Sequence, residues 1–212
     1  WGKGRPGWHI ECSTMAKIFL GNTFDIHGGG RDLLFPHHEN EIAQSESANC
    51  CEYARYWIHS GLLTLNKQKM SKSIGNTILI KDFLKKWPAE VLRLSFLFNH
   101  YRSNIDFSES VFKTCRTKCF YYYKSLSLLQ SCLEKEGISL SNEIYDQSIS
   151  LLEKEEKDFN KAMNDDFNTP VAMALIHALI KTINQKISFS KKSQDDIKWL
   201  KQSHYLLSKW TS

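Results

Sequence analysis

Three side chains of unlike chemistry stand out: Cys12, His37 and Glu41. The last two lie in Asp25 to Glu41, DIHGGGRDLLFPHHENE, which concentrates candidate ligands and glycines. Pro36 suits the first turn of a helix, because its fixed φ fits there and its missing N–H costs nothing. On a helix that begins at Pro36, His37 and Glu41 stand four apart on one face, where an imidazole and a carboxylate converge on one ion. Cys12 is the candidate for a soft third ligand. Thiolate, imidazole and carboxylate together form a zinc set, and catalytic zinc commonly takes three protein ligands and keeps a position open. The same residues also fit a plainer pattern. A His and a Glu four apart often form a solvated pair, a lone Cys is often a small buried apolar group, and His38 and Glu39 compete for the same roles.

A second cluster is Lys69 to Ser73, KMSKS, followed by Ile74, Gly75 and Asn76. Two lysines, two hydroxyls and a glycine in one polar loop suit a polyphosphate. The lysines neutralise phosphate charge, while hydroxyls and backbone N–H groups donate to it, and Lys72 is placed to stabilise charge that develops in a transition state. A basic surface turn has the same composition.

These residues need elements to hold them. From His9 to Leu20 the apolar residues Ile10, Met15, Ile18 and Phe19 recur at nearly helical spacing, and Gly21 stops the segment. Thr23 to His27 reads as a strand running into a tight loop at Gly28-Gly29-Gly30. Ligands bind beyond strand ends in open parallel sheets, glycines let them approach the backbone closely, and Asp32 can accept from ribose hydroxyls. A helix is expected from Pro36 to Tyr53. Trp57 to Leu65 then reads as a strand bent at Gly61 that delivers the lysine loop to the same crevice. For Trp8 and His9 the plain roles are core packing and a satisfied histidine.

After Asp82 the glycines almost vanish and the sequence turns helical. Helices are expected at 89–98, apolar on most sides and therefore buried, and at 108–136, 142–162, 170–187 and 194–210, with a polar break at 164–168. Several amphipathic helices on short turns pack as a bundle. The expected organisation is α/β followed by all-α, with residues 1–81 as the sheet-containing part and 82–212 as the bundle.

The 212 residues carry a net charge of +5, and the basic excess is spread over both parts, so composition alone does not announce nucleic acid. Locally, Lys113, Arg116, Lys118 and Lys124 interleave with Phe120, Tyr121, Tyr122 and Tyr123 without an acidic residue. That pattern fits a phosphate-facing helix and equally a solvated face whose aromatics enter the core. Six scattered cysteines point to a reducing cytosol and not to a disulfide scaffold. No run approaches a membrane span, and the polar start at Trp1 reads as the interior of a longer protein, not as a signal peptide.

KMSKS is the signature of class I aminoacyl-tRNA synthetases. Gly4 to Ser13, Asp25 to Glu46, His100 to Ser108 and Ala162 to Pro170 resemble, in that order, the cysteinyl-tRNA synthetase family, and the likeness covers residues 1–185. The resemblance implies that residues 1–81 are the second half of a Rossmann-type catalytic domain and that 82–212 hold the inner arm of the tRNA. It implies that Cys12, His37 and Glu41 bind Zn²⁺, that Trp8 and His9 line the amino-acid pocket, and that Gly28, Gly30, Asp32 and Lys72 bind ATP. Lys69 and Lys72 would act on the polyphosphate with Mg²⁺. Implied partners are ATP, L-cysteine and tRNA(Cys), with a cytoplasmic location, no membrane, and a monomeric state. The family's HIGH signature, one further cysteine ligand and the C-terminal anticodon module are absent from these residues, so the chain is expected to be inactive by itself. Two other readings stay open: a ligase joining cysteine to an amino-sugar in mycothiol synthesis, and a non-catalytic tRNA-binding paralogue.

Overall fold

A computed structural model describes residues 2–66, 68–70, 75–138 and 151–211. The chain forms two compact units, one of Trp1–Thr77 with Tyr101–Phe107 and one of Ile78–His100 with Ser108–Ser212. Among the described residues no helix is long and apolar enough to cross a membrane.

The first unit opens with α1 (Trp8–Leu20), which stops as expected at Gly21, where φ is 92° and the N–H donates back to the Lys17 carbonyl. Strand β1 (Phe24–Gly30) pairs in parallel with β2 (Ala54–Ser60) and sets His27 opposite Trp57 and Gly29 opposite His59. Between them run a short 3-10 turn (Arg31–Leu33), an irregular turn (Leu34–His38) and α2 (Glu39–Asn49). Phe35, just before Pro36, is extended at φ −131° and ψ 132°, the conformation a following proline favours, and the helical turn begins beyond it.

Three expectations are corrected here. Gly28, Gly29 and Gly30 are not a loop beyond the strand but its last three residues, with Ile58, His59 and Ser60 as partners. Glycine is required at 29 because the His38 ring packs there: a Cβ would stand 2.6 Å from its Cε1. The helix expected to reach Tyr53 ends at Asn49, where Cys50 turns left-handed at φ 53°. Finally, the bent strand is two strands in two sheets, β2 and β3 (Leu63–Leu65), because the Ser103 carbonyl occupies the space where a side chain at Gly61 would go.

Strand β3 pairs antiparallel with β4 (Gln68–Lys69) and parallel with β5 (Ile105–Asp106). The stretch after Asp82 is therefore not helical throughout. The Leu62 N–H donates to Asn104 Oδ1 at 2.9 Å, and the Gly61 N–H to the Tyr101 carbonyl at 2.7 Å, so 101–107 are fastened to the first unit.

The second unit consists of α3 (Ile80–Phe83), α4 (Ala89–Leu97), α5 (Glu109–Lys135), α6 (Glu153–Asn164), α7 (Thr169–Ile187) and α8 (Gln194–Thr211). Residues 139–150, where part of one expected helix falls, lie outside the described residues. Helix α4 is less enclosed than its composition suggests: Val91 and Leu94 are buried, but Phe96 and Leu97 are 40% and 38% exposed. Asn168 caps α7 by accepting from the Val171 N–H, with Pro170 in the first turn. The interior is aliphatic, with Leu129, Leu133, Ile183, Leu200 and Leu207 wholly enclosed, each worth about 1.5–3 kcal/mol of apolar burial. One polar tie crosses it, where the Asn184 amide donates to Tyr121 Oη at 3.0 Å and to Ser125 Oγ at 2.8 Å.

Candidate metal and substrate site

Helices α1 and α2 are pinned side by side by Ser13, whose hydroxyl reaches both the His9 carbonyl and Gln44 Oε1, and by Lys17, which donates to Asn49. That docking sets Cys12 beside the first turn of α2. Donor atoms of Cys12, His37 and Glu41 all lie within 4.8 Å of one another. His37 and Glu41 are buried, and Cys12 is half-buried.

The environment of Glu41 is asymmetric. Its Oε2 accepts from Tyr53 Oη at 3.0 Å and lies 2.8 Å from His27 Nε2. Its Oε1 comes within 2.6 Å of His37 Nε2, an ion-pair contact out of hydrogen-bonding alignment, so among the described residues Oε1 is buried with no hydrogen-bond partner. An unpartnered carboxylate oxygen in such a place costs free energy unless a cation or proton meets it. The other nitrogen of His37, Nδ1, lies 2.8 Å from His9 Nδ1, and the Trp8 ring packs on the imidazole at 4.1 Å between centroids. Fixing one ring nitrogen through a neighbour is how a ligand histidine is usually oriented.

Burial, and then the Glu41 and Glu11 carboxylates, push the Cys12 thiol above its ordinary pKa. A cation between these groups would reverse that, so loading the site releases a proton. Burial and then the Glu41 hydrogen bond push the Tyr53 phenol up, which keeps its proton available for donation. His38 is held below the ordinary histidine range by burial first and by His27 next, and His59 by burial and by Arg102. His38 Nδ1 lies 2.8 Å from His59 Nε2.

The structure thus brings together Cys12, His37, Glu41, Trp8 and His9, and the first three fit zinc by donor type, enclosure and the unpartnered Oε1. It does not bring the proposed nucleotide residues into this cluster. Gly28 and Gly30 fall, by strand alternation, on the face of β1 opposite His27 and Gly29, and Asp32 folds over Gly30, with Oδ1 2.5 Å from where a Cβ would stand. Lys69 ends β4, its backbone paired with Thr64, and Lys72 lies outside the described residues.

Sequence reasoning passed over His27, Tyr53 and His59, and weighed His38 only as a competitor for the ligand role. A signal for two of them was present: His27 and Gly29 share a face of β1, as Trp57 and His59 share one of β2, and their register makes it one polar aromatic wall. On α5, Lys113 pairs with Glu109 and Lys118 lies over the Phe98 ring at 4.5 Å, while Phe120 and Tyr123 are exposed.

The family model described as "tRNA synthetases class I (C) catalytic domain" matches residues 1–117, and the DALR domain model matches 158–212. A cysteine–tRNA ligase of Thermodesulfovibrio yellowstonii is 46% identical over 200 residues, which are 94% of this chain and 41% of that protein. One from Geotalea uraniireducens is 45% identical over 205 residues, 93% of this chain and 42% of that one. The chain spans about two-fifths of the length of these relatives. The fold is similar to that of Mycobacterium tuberculosis methionyl-tRNA synthetase in complex with methionyl-adenylate, with a TM-score of 0.56 at 18% identity over 86% of this chain and 38% of the other. On the match over residues 1–117, the chain belongs to the family of class I (C) tRNA synthetase catalytic domains.

Proposed function

We propose that this chain is the part of a cysteine–tRNA ligase that selects cysteine and handles the polyphosphate. The observation that carries this reading is the convergence of Cys12, His37 and Glu41, with Oε1 of Glu41 buried and without a hydrogen-bond partner among the described residues. The names of the relatives support it. Cys12, His37 and Glu41 would hold a zinc ion, which supplies a Lewis acid that prefers a thiolate to a neutral hydroxyl. His9 holds the His37 ring through Nδ1, and Trp8 packs against the same ring.

In the reaction the carboxylate of cysteine attacks the α-phosphorus of ATP, pyrophosphate leaves, and a terminal hydroxyl of tRNA(Cys) then displaces AMP from the cysteinyl-adenylate. Lys69 and Lys72 would neutralise the leaving polyphosphate with Mg²⁺, and Asp32 beside Gly28 and Gly30 would receive the ribose. The test is a chimera in which residues 1–212 replace the matching segment of the Thermodesulfovibrio ligase. Cysteine-dependent pyrophosphate exchange is expected. Lys72→Ala in that chimera should slow it by about 10²-fold or more, the scale for losing one preorganised donor. A folded chimera without exchange, or exchange indifferent to Lys72, would overturn the assignment.

A further inference from the structure

Glu41 belongs to two groups of potential ligands at once, since His27, His38 and Glu41 also place donor atoms within 4.8 Å of one another. The two oxygens of this carboxylate differ in what already holds them, and that decides which group it serves. Oε2 already accepts from Tyr53 and is met by His27, while Oε1 has no hydrogen-bond partner among the described residues and faces His37.

The two groups that hold Oε2 are themselves fixed. Tyr53 is 1% exposed, its N–H donates to Glu46 Oε1 at 3.1 Å, and Phe24 meets its ring edge-on at 5.0 Å. His27 is wedged between Phe24 and Trp57, with centroids 5.6 and 4.6 Å away. A glutamate's last torsion is otherwise soft, so an unheld carboxylate can turn to offer either oxygen or both. With Oε2 occupied by hydrogen bonds, only Oε1 remains to bind an ion.

We propose that Tyr53 and His27 are positioning residues that lock the Glu41 carboxylate so that it binds the metal through Oε1 alone, and that the His27–His38–Glu41 group is not a metal site. This rests on the reading of Cys12, His37 and Glu41 as ligands. Binding through one oxygen leaves one more position for a substrate thiol than binding through two.

The test uses the metal-free chain titrated with Zn²⁺ against a chromophoric chelator, and with Co²⁺ followed by visible absorption. Folding is checked by circular dichroism. Tyr53→Phe keeps the ring and removes only the donor. It should weaken zinc binding about 10–100-fold, the scale for losing an outer-shell partner. It should also lower the cobalt absorbance, since cobalt(II) absorbs less strongly as its coordination number rises and the freed carboxylate can add its second oxygen. His27→Gln should act in the same direction, and His38→Gln should leave zinc affinity unchanged. Wild-type affinity and an unchanged cobalt spectrum in both Tyr53→Phe and His27→Gln would overturn the proposal, as would loss of zinc in His38→Gln to the extent seen in Cys12→Ala. Equal zinc binding by wild type and Cys12→Ala would instead overturn the ligand reading beneath it.

Discussion

Tyr53 in the first unit and Leu129 in the second are 1% and 0% exposed, yet their surroundings differ in kind. The buried polar side chains of the first unit are, among its described residues, His37, His38, Glu41, Ser13 and Ser45, and its described buried apolar residues are few: Tyr53, Ala54, Ile105 and Phe107. The second unit buries Leu129 together with Leu133, Ile176, Ile180, Ile183, Leu200 and Leu207, and among its described residues the polar side chains buried as a whole are serines. The second unit also encloses single polar atoms without a hydrogen-bond partner, Tyr122 Oη, His177 Nδ1 and His204 Nδ1 among them, but each is set in hydrocarbon, whereas the first unit gathers His37, His38 and Glu41 at one place, where they cost free energy unless met by a partner or an ion. Enclosed ionisable groups gathered at one place are the mark of a site, and an interior mainly of hydrocarbon is the mark of a scaffold.

The largest effect should come from damaging the scaffold. Leu129→Ala leaves a cavity among α5, α7 and α8 and should lower stability by about 2–5 kcal/mol, read by denaturant unfolding. Zinc affinity of the chain should not change. A parallel loss of zinc binding would break the contrast, because the site would then depend on the bundle's packing.

An intermediate effect should come from filling the polar interior. Zinc at about 100 times its dissociation constant should stabilise the first unit by about 2.7 kcal/mol, a linkage effect of binding to the folded form only. Hydrogen exchange should slow in α1 and α2 and stay constant in α7 and α8. Equal protection in all four helices would show that the ion stabilises the whole chain and not one interior.

Acid should produce the smallest effect and can sharpen the comparison. His38 and His59 have folded pKa values below the ordinary 6.5, so as pH falls below about 6.5 the unfolded chain takes up protons that the folded one resists. The metal-free first unit should therefore lose stability as pH falls below about 6.5. In the second unit Asp196 is held at about 2 by hydrogen bonds from Lys186 and Ser193, so its contribution is complete above the ordinary 3.8 and is lost only as pH falls toward about 2. His204, lowered by burial, acts in the histidine window too, so the measurement is made on His204→Asn. Exchange that rises at pH 5 in α7 and α8 as much as in α1 and α2 would remove the distinction.

The sequence by itself determined what is local. The spacing of His37 and Glu41 on one helix face, the stop at Gly21, the cap and proline that open α7, and the helices of the bundle all follow from neighbours within a few residues. Donor chemistry was equally legible in Cys12, because a thiol is a soft ligand wherever it sits. What only the tertiary structure decided is everything that depends on register and return. Gly28 to Gly30 looked like a loop because glycine favours turns, but β2 holds them in a strand and the His38 ring accounts for the missing side chain at 29. Residues 101–107 sit in a helical neighbourhood of the sequence, yet pair with β3 because the backbone at Gly61 admits the Ser103 carbonyl. Tyr53 and His27, far from Glu41 along the chain, meet its second oxygen only because β1 and β2 lie side by side beneath α2, a relation that no spacing in the sequence encodes.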